Sequence, residues 1–270
     1  MKLGINTYSF LWADTLENSV KTLADDGFKA IEFLVSPPHF YLSEYKPGMY
    51  AKINRILEQN KMEVLSLNIP GLDINIASPF PEMRKMTVDL YKRTIDIGLD
   101  LNCKMLIVAP GKRHPLLPPD FEYIYNLARD SVMRVLEYAS KTNIILGIET
   151  LPSAFLDKTR DLKRFVDDIG SEQVKICFDA ANVFMQEDPA QAIYEVKDKL
   201  CMVHVSDTKI TKWEHNVIGT GQVDFAAFGS ALKDIGYTGE VVLEVINEHG
   251  ITGIRESLEH LKRKGWSFEQ

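Results

Sequence analysis

The chain has 270 residues, with 31 Lys and Arg against 38 Asp and Glu and a formal net charge of −7. Its apolar content of 45% and charged content of 26% are those of an ordinary globular protein with a full core. The longest apolar runs, such as Ile144–Ile148, are far too short to span a bilayer. The acidic balance argues against a general nucleic-acid surface. Polar residues at 6, 7, 9 and 14 break any signal-peptide pattern, and three cysteines in no metal-like pair point to inert thiols, so the expectation is a cytoplasmic protein without disulfides.

Short β-branched runs alternate with helical patterns along the whole chain. The runs are Leu3–Tyr8, Ala30–Leu34, Val64–Asn68, Met105–Ala109, Ile144–Glu149, Val174–Asp179, Met202–Ser206 and Val241–Val245. Each is nearly continuously apolar, as strands covered on both faces are. A 3.6-residue apolar spacing predicts helices between them: one through Leu16, Val20 and Leu23, one through Tyr50, Ile53 and Leu57, then Met83–Leu99, Phe121–Ala139, Leu162–Ile169, Pro189–Val196, Phe225–Ile235 and Ile254–Leu261. Asp188 and Asp224 read as N-caps, and Gly27, Gly170 and Gly236 as C-terminal stops. Eight strand–helix units predict an α/β fold, a single (β/α)8 TIM barrel forming one domain over 1–270. An open doubly wound sheet is disfavoured, because its glycine-rich phosphate turn after the first strand is replaced here by Thr7-Tyr8-Ser9-Phe10. Ser36-Pro37-Pro38 and His114–Pro119 read as long barrel loops.

Catalytic groups of such barrels sit at the C-terminal ends of strands. The fifth, sixth and eighth strands end in Glu149, Asp179 and Glu244, and the seventh carries His204. Any one of these could be a helix cap or a satisfied core residue. Together at one barrel mouth, three carboxylates would repel one another and push their pKa values up unless a cation sat among them. Three oxygen donors with one imidazole suit a hard or borderline divalent ion.

The strand end Gly147-Ile148-Glu149, the turn Asp179-Ala180-Ala181-Asn182, His204-Val205-Ser206-Asp207, and Ile218-Gly219-Thr220-Gly221-Gln222-Val223-Asp224-Phe225 occur in this order, followed by Gly236-Tyr237-Thr238-Gly239 leading to Leu243-Glu244. The chain thereby resembles the xylose-isomerase-like barrels, the sugar phosphate isomerase/epimerase group that includes tagatose- and psicose-type epimerases and, more distantly, type IV endonucleases. The resemblance implies one divalent metal ion held by Glu149, Asp179, His204 and Glu244, with Mn2+ first and Mg2+, Co2+ or Zn2+ as alternatives. It implies Glu149 and Glu244 as a catalytic acid/base pair that moves a proton beside a carbonyl through an enediolate. Candidate substrate contacts are Asn6, Glu32, Asn68, Asn182, Asp207, Lys209 and His215, with Trp213, Phe10 and Trp12 as pocket walls. Asp207 can instead cap a turn, and Glu32 can be a structural acid. The chain departs from the epimerases in carrying Asn182 where they have a histidine, no arginine between 204 and 224, and no glutamate in the loop 150–155. The expected partner is a small sugar, with no membrane and no nucleic acid, in a dimer or tetramer like the relatives. A lyase or dehydratase using the same cage is the alternative. A DNA-repair phosphodiesterase is further off, because His39, His114, His249 and His260 lie poorly for three metals.

Overall fold

The computed structural model describes residues 1–152, 154–248 and 250–269. His249 lies outside the described residues. The apolar runs form the parallel strands β1 (Lys2–Asn6), β2 (Ala30–Leu34), β3 (Glu63–Asn68), β4 (Met105–Val108), β5 (Ile145–Glu149), β6 (Val174–Asp179), β7 (Leu200–Val205) and β10 (Glu240–Leu243). They close in the order β1-β10-β7-β6-β5-β4-β3-β2, a single (β/α)8 TIM barrel.

The helices are α1 (Leu16–Asp25), α2 (Ala51–Gln59), α3 (Pro81–Asp100), α4 (Phe121–Ala139), α5 (Thr159–Ile169), α6 (Ala180–Phe184), α7 (Pro189–Val196), α8 (Phe225–Asp234) and α9 (Ile251–Arg263). Their apolar stripes cover the outer strand faces in one continuous core. The Asp188 carboxylate accepts from the Ala190 amide, and the Asp224 carboxylate from those of Ala226 and Ala227, as N-caps do. Gly170 closes α5 at φ 69°, in the left-handed region.

A second, smaller apolar cluster fills the barrel interior. Ala30, Leu65, Met105, Ile107, Cys177, Met202 and Val242 come from six strands and are all buried. This interior is so tightly filled that a β-carbon on Gly4 of β1 would lie 2.6 Å from Leu65 Cδ1.

Three local differences from the sequence reading bear on the site. The first strand stops at Asn6, because the Asn6 side chain accepts from the Tyr8 amide and turns the chain into a short 3-10 helix, Thr7–Phe10. Beyond β7 the chain forms an antiparallel hairpin, β8 (Asp207–Lys209) with β9 (Lys212–Asn216), where a loop was expected. Ala180–Phe184 is a short helix of its own, capped by Asp179. No described helix is long and apolar enough to cross a membrane.

Candidate functional site

Parallel closure brings the ends of β5, β6, β7 and β10 side by side. Asp179 pairs in register with His204, and the Glu244 amide continues the ladder beyond β10 by donating to the Val205 carbonyl. One ligand atom from each of Glu149, Asp179, His204 and Glu244 lies within 4.8 Å of the other three, and all four residues are buried. His204 Nδ1 is 3.1 Å from Glu149 Oε1, 3.4 Å from Glu244 Oε2 and 4.0 Å from Asp179 Oδ2.

Two of the three carboxylates are held from outside the cluster. Asp179 Oδ1 accepts from the Asn182 amide at 2.7 Å, and its own amide donates to Thr150 Oγ1 at 2.8 Å. Glu244 Oε1 accepts from Asn68 Nδ2 at 3.1 Å. Asp179 Oδ2 is buried without a hydrogen-bond donor. A buried orphan acceptor is expensive unless something positive meets it.

Burial pushes the Glu149 carboxyl up to about 7, helped by the Glu244 and Asp179 charges and opposed by His204. Glu244 is likewise pushed up to about 7, by burial first and then by Asp179 and Glu32, against His204. These acids are the groups a divalent cation would neutralise. Three carboxylates, one imidazole and the orphan oxygen fit such an ion.

His204 is gripped from behind. Its Nε2 lies 3.1 Å from Glu32 Oε2. The fully buried Glu32 also accepts from Ser66 Oγ and Asn6 Nδ2, each at 2.5 Å. Burial opposes charge on both partners. The His204 charge and these hydrogen bonds nevertheless hold Glu32 below its usual value, while the Glu32 and Glu244 charges hold His204 well above its own.

The cluster opens into a cavity of about 350 Å³. Glu149 and Glu244 reach its surface, as do Asn68, Asn182 and His215 among the expected contacts. His215 enters from the hairpin, with Nδ1 3.4 Å from Glu244 Oε2, 3.8 Å from Asp179 Oδ2 and 3.0 Å from Ser206 Oγ.

Four expected contacts are placed elsewhere, each for a physical reason. Asn6 and Glu32 lie beneath the cluster, their polar atoms bonded to each other, to Ser66, to His204 and to the Tyr8 amide. Asp207 accepts from the amides of Thr208, Gly219, Gly221 and Val223, so both of its oxygens are used inside the hairpin loop. Lys209 is exposed at the hairpin end. Of the three expected wall aromatics, Trp213 lines the cavity, Phe10 is packed in the helix–strand core and Trp12 is 81% exposed.

Sequence reasoning missed Tyr8, Leu72, Leu151 and Ile246, which line the cavity from the segments that follow strands, Tyr8 from the 3-10 helix after β1. Their only signal was that position. Burial and the nearby Glu244, Asp73 and Glu149 charges push the Tyr8 phenol up, so it stays a neutral donor. The other described histidines are remote from the cluster in role. His39 Nε2 bonds the Asp14 carbonyl, His114 Nδ1 accepts from the Leu116 and Leu117 amides, and His260 belongs to α9.

The chain is similar to known proteins along nearly its full length. It is 25% identical over 251 residues to L-ribulose 3-epimerase of Mesorhizobium japonicum, covering 89% of this chain and 80% of that protein. A crystal structure of a D-tagatose 3-epimerase-like protein superposes with TM-score 0.84 at 24% identity, covering 98% of this chain and all of that one. A crystal structure of the IOLI protein with a binding zinc atom superposes with TM-score 0.83 at 16% identity, covering 99% of this chain and all of that one. The model for the xylose isomerase-like TIM barrel matches residues 20–264, and the chain belongs to that family.

Proposed function

We propose that the protein is a divalent-metal-dependent sugar epimerase or isomerase that exchanges the proton on the carbon beside a carbonyl. The observation that carries this reading is the set Glu149, Asp179, His204 and Glu244 drawn to one point, with the two glutamates opening onto the cavity. The sugar epimerases among its relatives support it.

Glu149, Asp179, Glu244 and the Nδ1 atom of His204 would hold the ion, with Mn2+ the first choice by donor type and Mg2+, Co2+ or Zn2+ as alternatives. When bound, the ion supplies positive charge that stabilises the negative charge developing on the substrate carbonyl oxygen. Glu149, at the end of β5, and Glu244, just past β10, stand three places apart in the barrel order, with the strands of Asp179 and His204 between them. In this reading one removes the proton and the other returns it. Asn68 holds Glu244 in place for this, and Tyr8 and His215 offer hydrogen bonds to sugar hydroxyls.

Incubating the metal-loaded protein with ketoses in D2O and following the carbon-bound protons by NMR tests the reading. Deuterium should enter at the carbon beside the carbonyl. Glu149→Gln and Glu244→Gln should each slow that uptake by about 10²–10⁴-fold. A screen with metal bound and no uptake into any ketose, but with elimination products, would replace this reading with a lyase on the same cage.

A further inference from the structure

The substrate-handling side of the cavity is built differently from its metal side. Its floor carries acids, yet among the described residues no lysine or arginine lines it. The nearby Lys212 is already ion-paired with Glu214 at the rim. The amide at the start of α6 is spent on Asp179. A phosphate or carboxylate group entering here would meet Glu149, Glu214 and Glu244 with no Lys or Arg to receive it, whereas such groups are bound through charge-assisted hydrogen bonds.

The upper walls are apolar instead. Leu34, Pro70, Leu72, Leu151, Trp213 and Ile246 line the cavity, with Leu34 and Leu151 buried. Leu72 and Ile246 leave 57% and 37% of their surface exposed there, apolar area that a bound molecule would cover.

The Trp213 indole is held rigidly. Its Nε1 donates to Asn182 Oδ1 at 2.8 Å, and Asn182 Nδ2 donates to the Thr150 carbonyl at 2.9 Å. Both ends of the Asn182 amide are therefore used in the protein rather than left for a ligand. The ring also meets His215 edge-on, with centroids 5.9 Å apart.

We infer that the site takes an uncharged, unphosphorylated keto sugar carrying an apolar or aromatic group at the end away from its ketone. Trp213, fixed by Asn182, is the specificity-determining wall. This inference rests on the sugar reading above, and its test measures binding separately from turnover.

Calorimetric titration of the Mn2+-loaded protein compares D-fructose, its 6-phosphate and 6-O-benzyl-D-fructose. The benzyl ether should bind about tenfold tighter than fructose, the scale of one added aromatic contact, and the phosphate more weakly than fructose. Trp213→Ala should reduce the benzyl preference to within about threefold, while Trp213→Phe restores most of it. A phosphate that binds as well as fructose, or a benzyl ether no better than fructose, would overturn the inference in the wild-type protein, whatever the variants do. Proton exchange on fructose without benzyl preference would sink the inference and leave the epimerase reading standing. Tight benzyl-ether binding without any exchange would do the reverse.

Discussion

Behind His204, Glu32 accepts hydrogen bonds from three side chains and meets no solvent. Its grip on Nε2 leaves Nδ1 as the nitrogen facing the carboxylates. A carboxylate behind a ligating histidine fixes the ring's tautomer and raises its basicity. Asn6 joins the two layers, since its amide reaches Glu32 and, at 3.4 Å, Glu244. Glu32→Gln keeps the shape and removes the charge. It should weaken Mn2+ binding by about 10–100-fold, read by competition with a chelating dye, while the circular dichroism spectrum stays unchanged. Unaltered affinity would reduce Glu32 to a packing residue. The thiols carry a different message: burial pushes Cys103 and Cys201 up to about 12 and Cys177 well above its ordinary value, so all three stay protonated.

Among the elements, the hairpin of β8 and β9 does the most for the site outside the barrel, because it delivers Trp213 and His215. The returning loop wraps around the Asp207 carboxylate, which receives four backbone amides. Glycine is required at 221, where a β-carbon would collide with that carboxylate and with the Thr208 carbonyl. Asp207→Ala orphans buried donors and should cost about 3 kcal/mol of stability, measured by urea unfolding. Metal stoichiometry should survive in the folded fraction, since no cage residue is touched. Loss of metal with stability intact would give Asp207 a direct part in the centre instead.

At the scale of the whole molecule, the cluster couples folding to pH and, in the proposed reading, to a metal ion. Glu149 and Glu244 sit near 7 when folded, above their ordinary 4.5. Between those values the folded metal-free protein keeps protons that the unfolded chain has released, so its stability falls as pH rises through that window. His204, held above its ordinary 6.5, acts in the same sense at higher pH. Glu32, held below 4.5, acts oppositely and only in acid. A bound cation takes the place of those protons. Thermal melts between about pH 5 and 8, with chelator or with Mn2+, should therefore show a metal-induced stabilisation that grows with pH across that range. A stabilisation independent of pH would mean that the ion binds outside the cage.

The sequence by itself determined the barrel and named the four residues that gather at its mouth. Eight apolar runs spaced by helical patterns leave few ways to bury both faces of a parallel sheet. Glu149, Asp179 and Glu244 could be named because each stands where an apolar strand gives way to loop, and His204 because it interrupts one. Glu32 carries a similar local pattern, an acid within Ile31-Glu32-Phe33, and read as either a substrate contact or a structural acid; that His204 is its partner was not legible. A register shift between Ile31 and Glu32 against β3 helps set its place behind His204, and such a shift leaves no mark in hydropathy. The hairpin was equally hidden, because Lys212–Asn216 is polar and lacks the alternation of a half-buried strand. Asn182 looked like a replaced substrate contact until the fold placed its amide between Thr150 and Trp213. Strand burial is a property of short stretches of sequence. Which side chain stands behind, beside or above the cage depends on how strands far apart in the chain align when the barrel closes, and only the tertiary structure decided that.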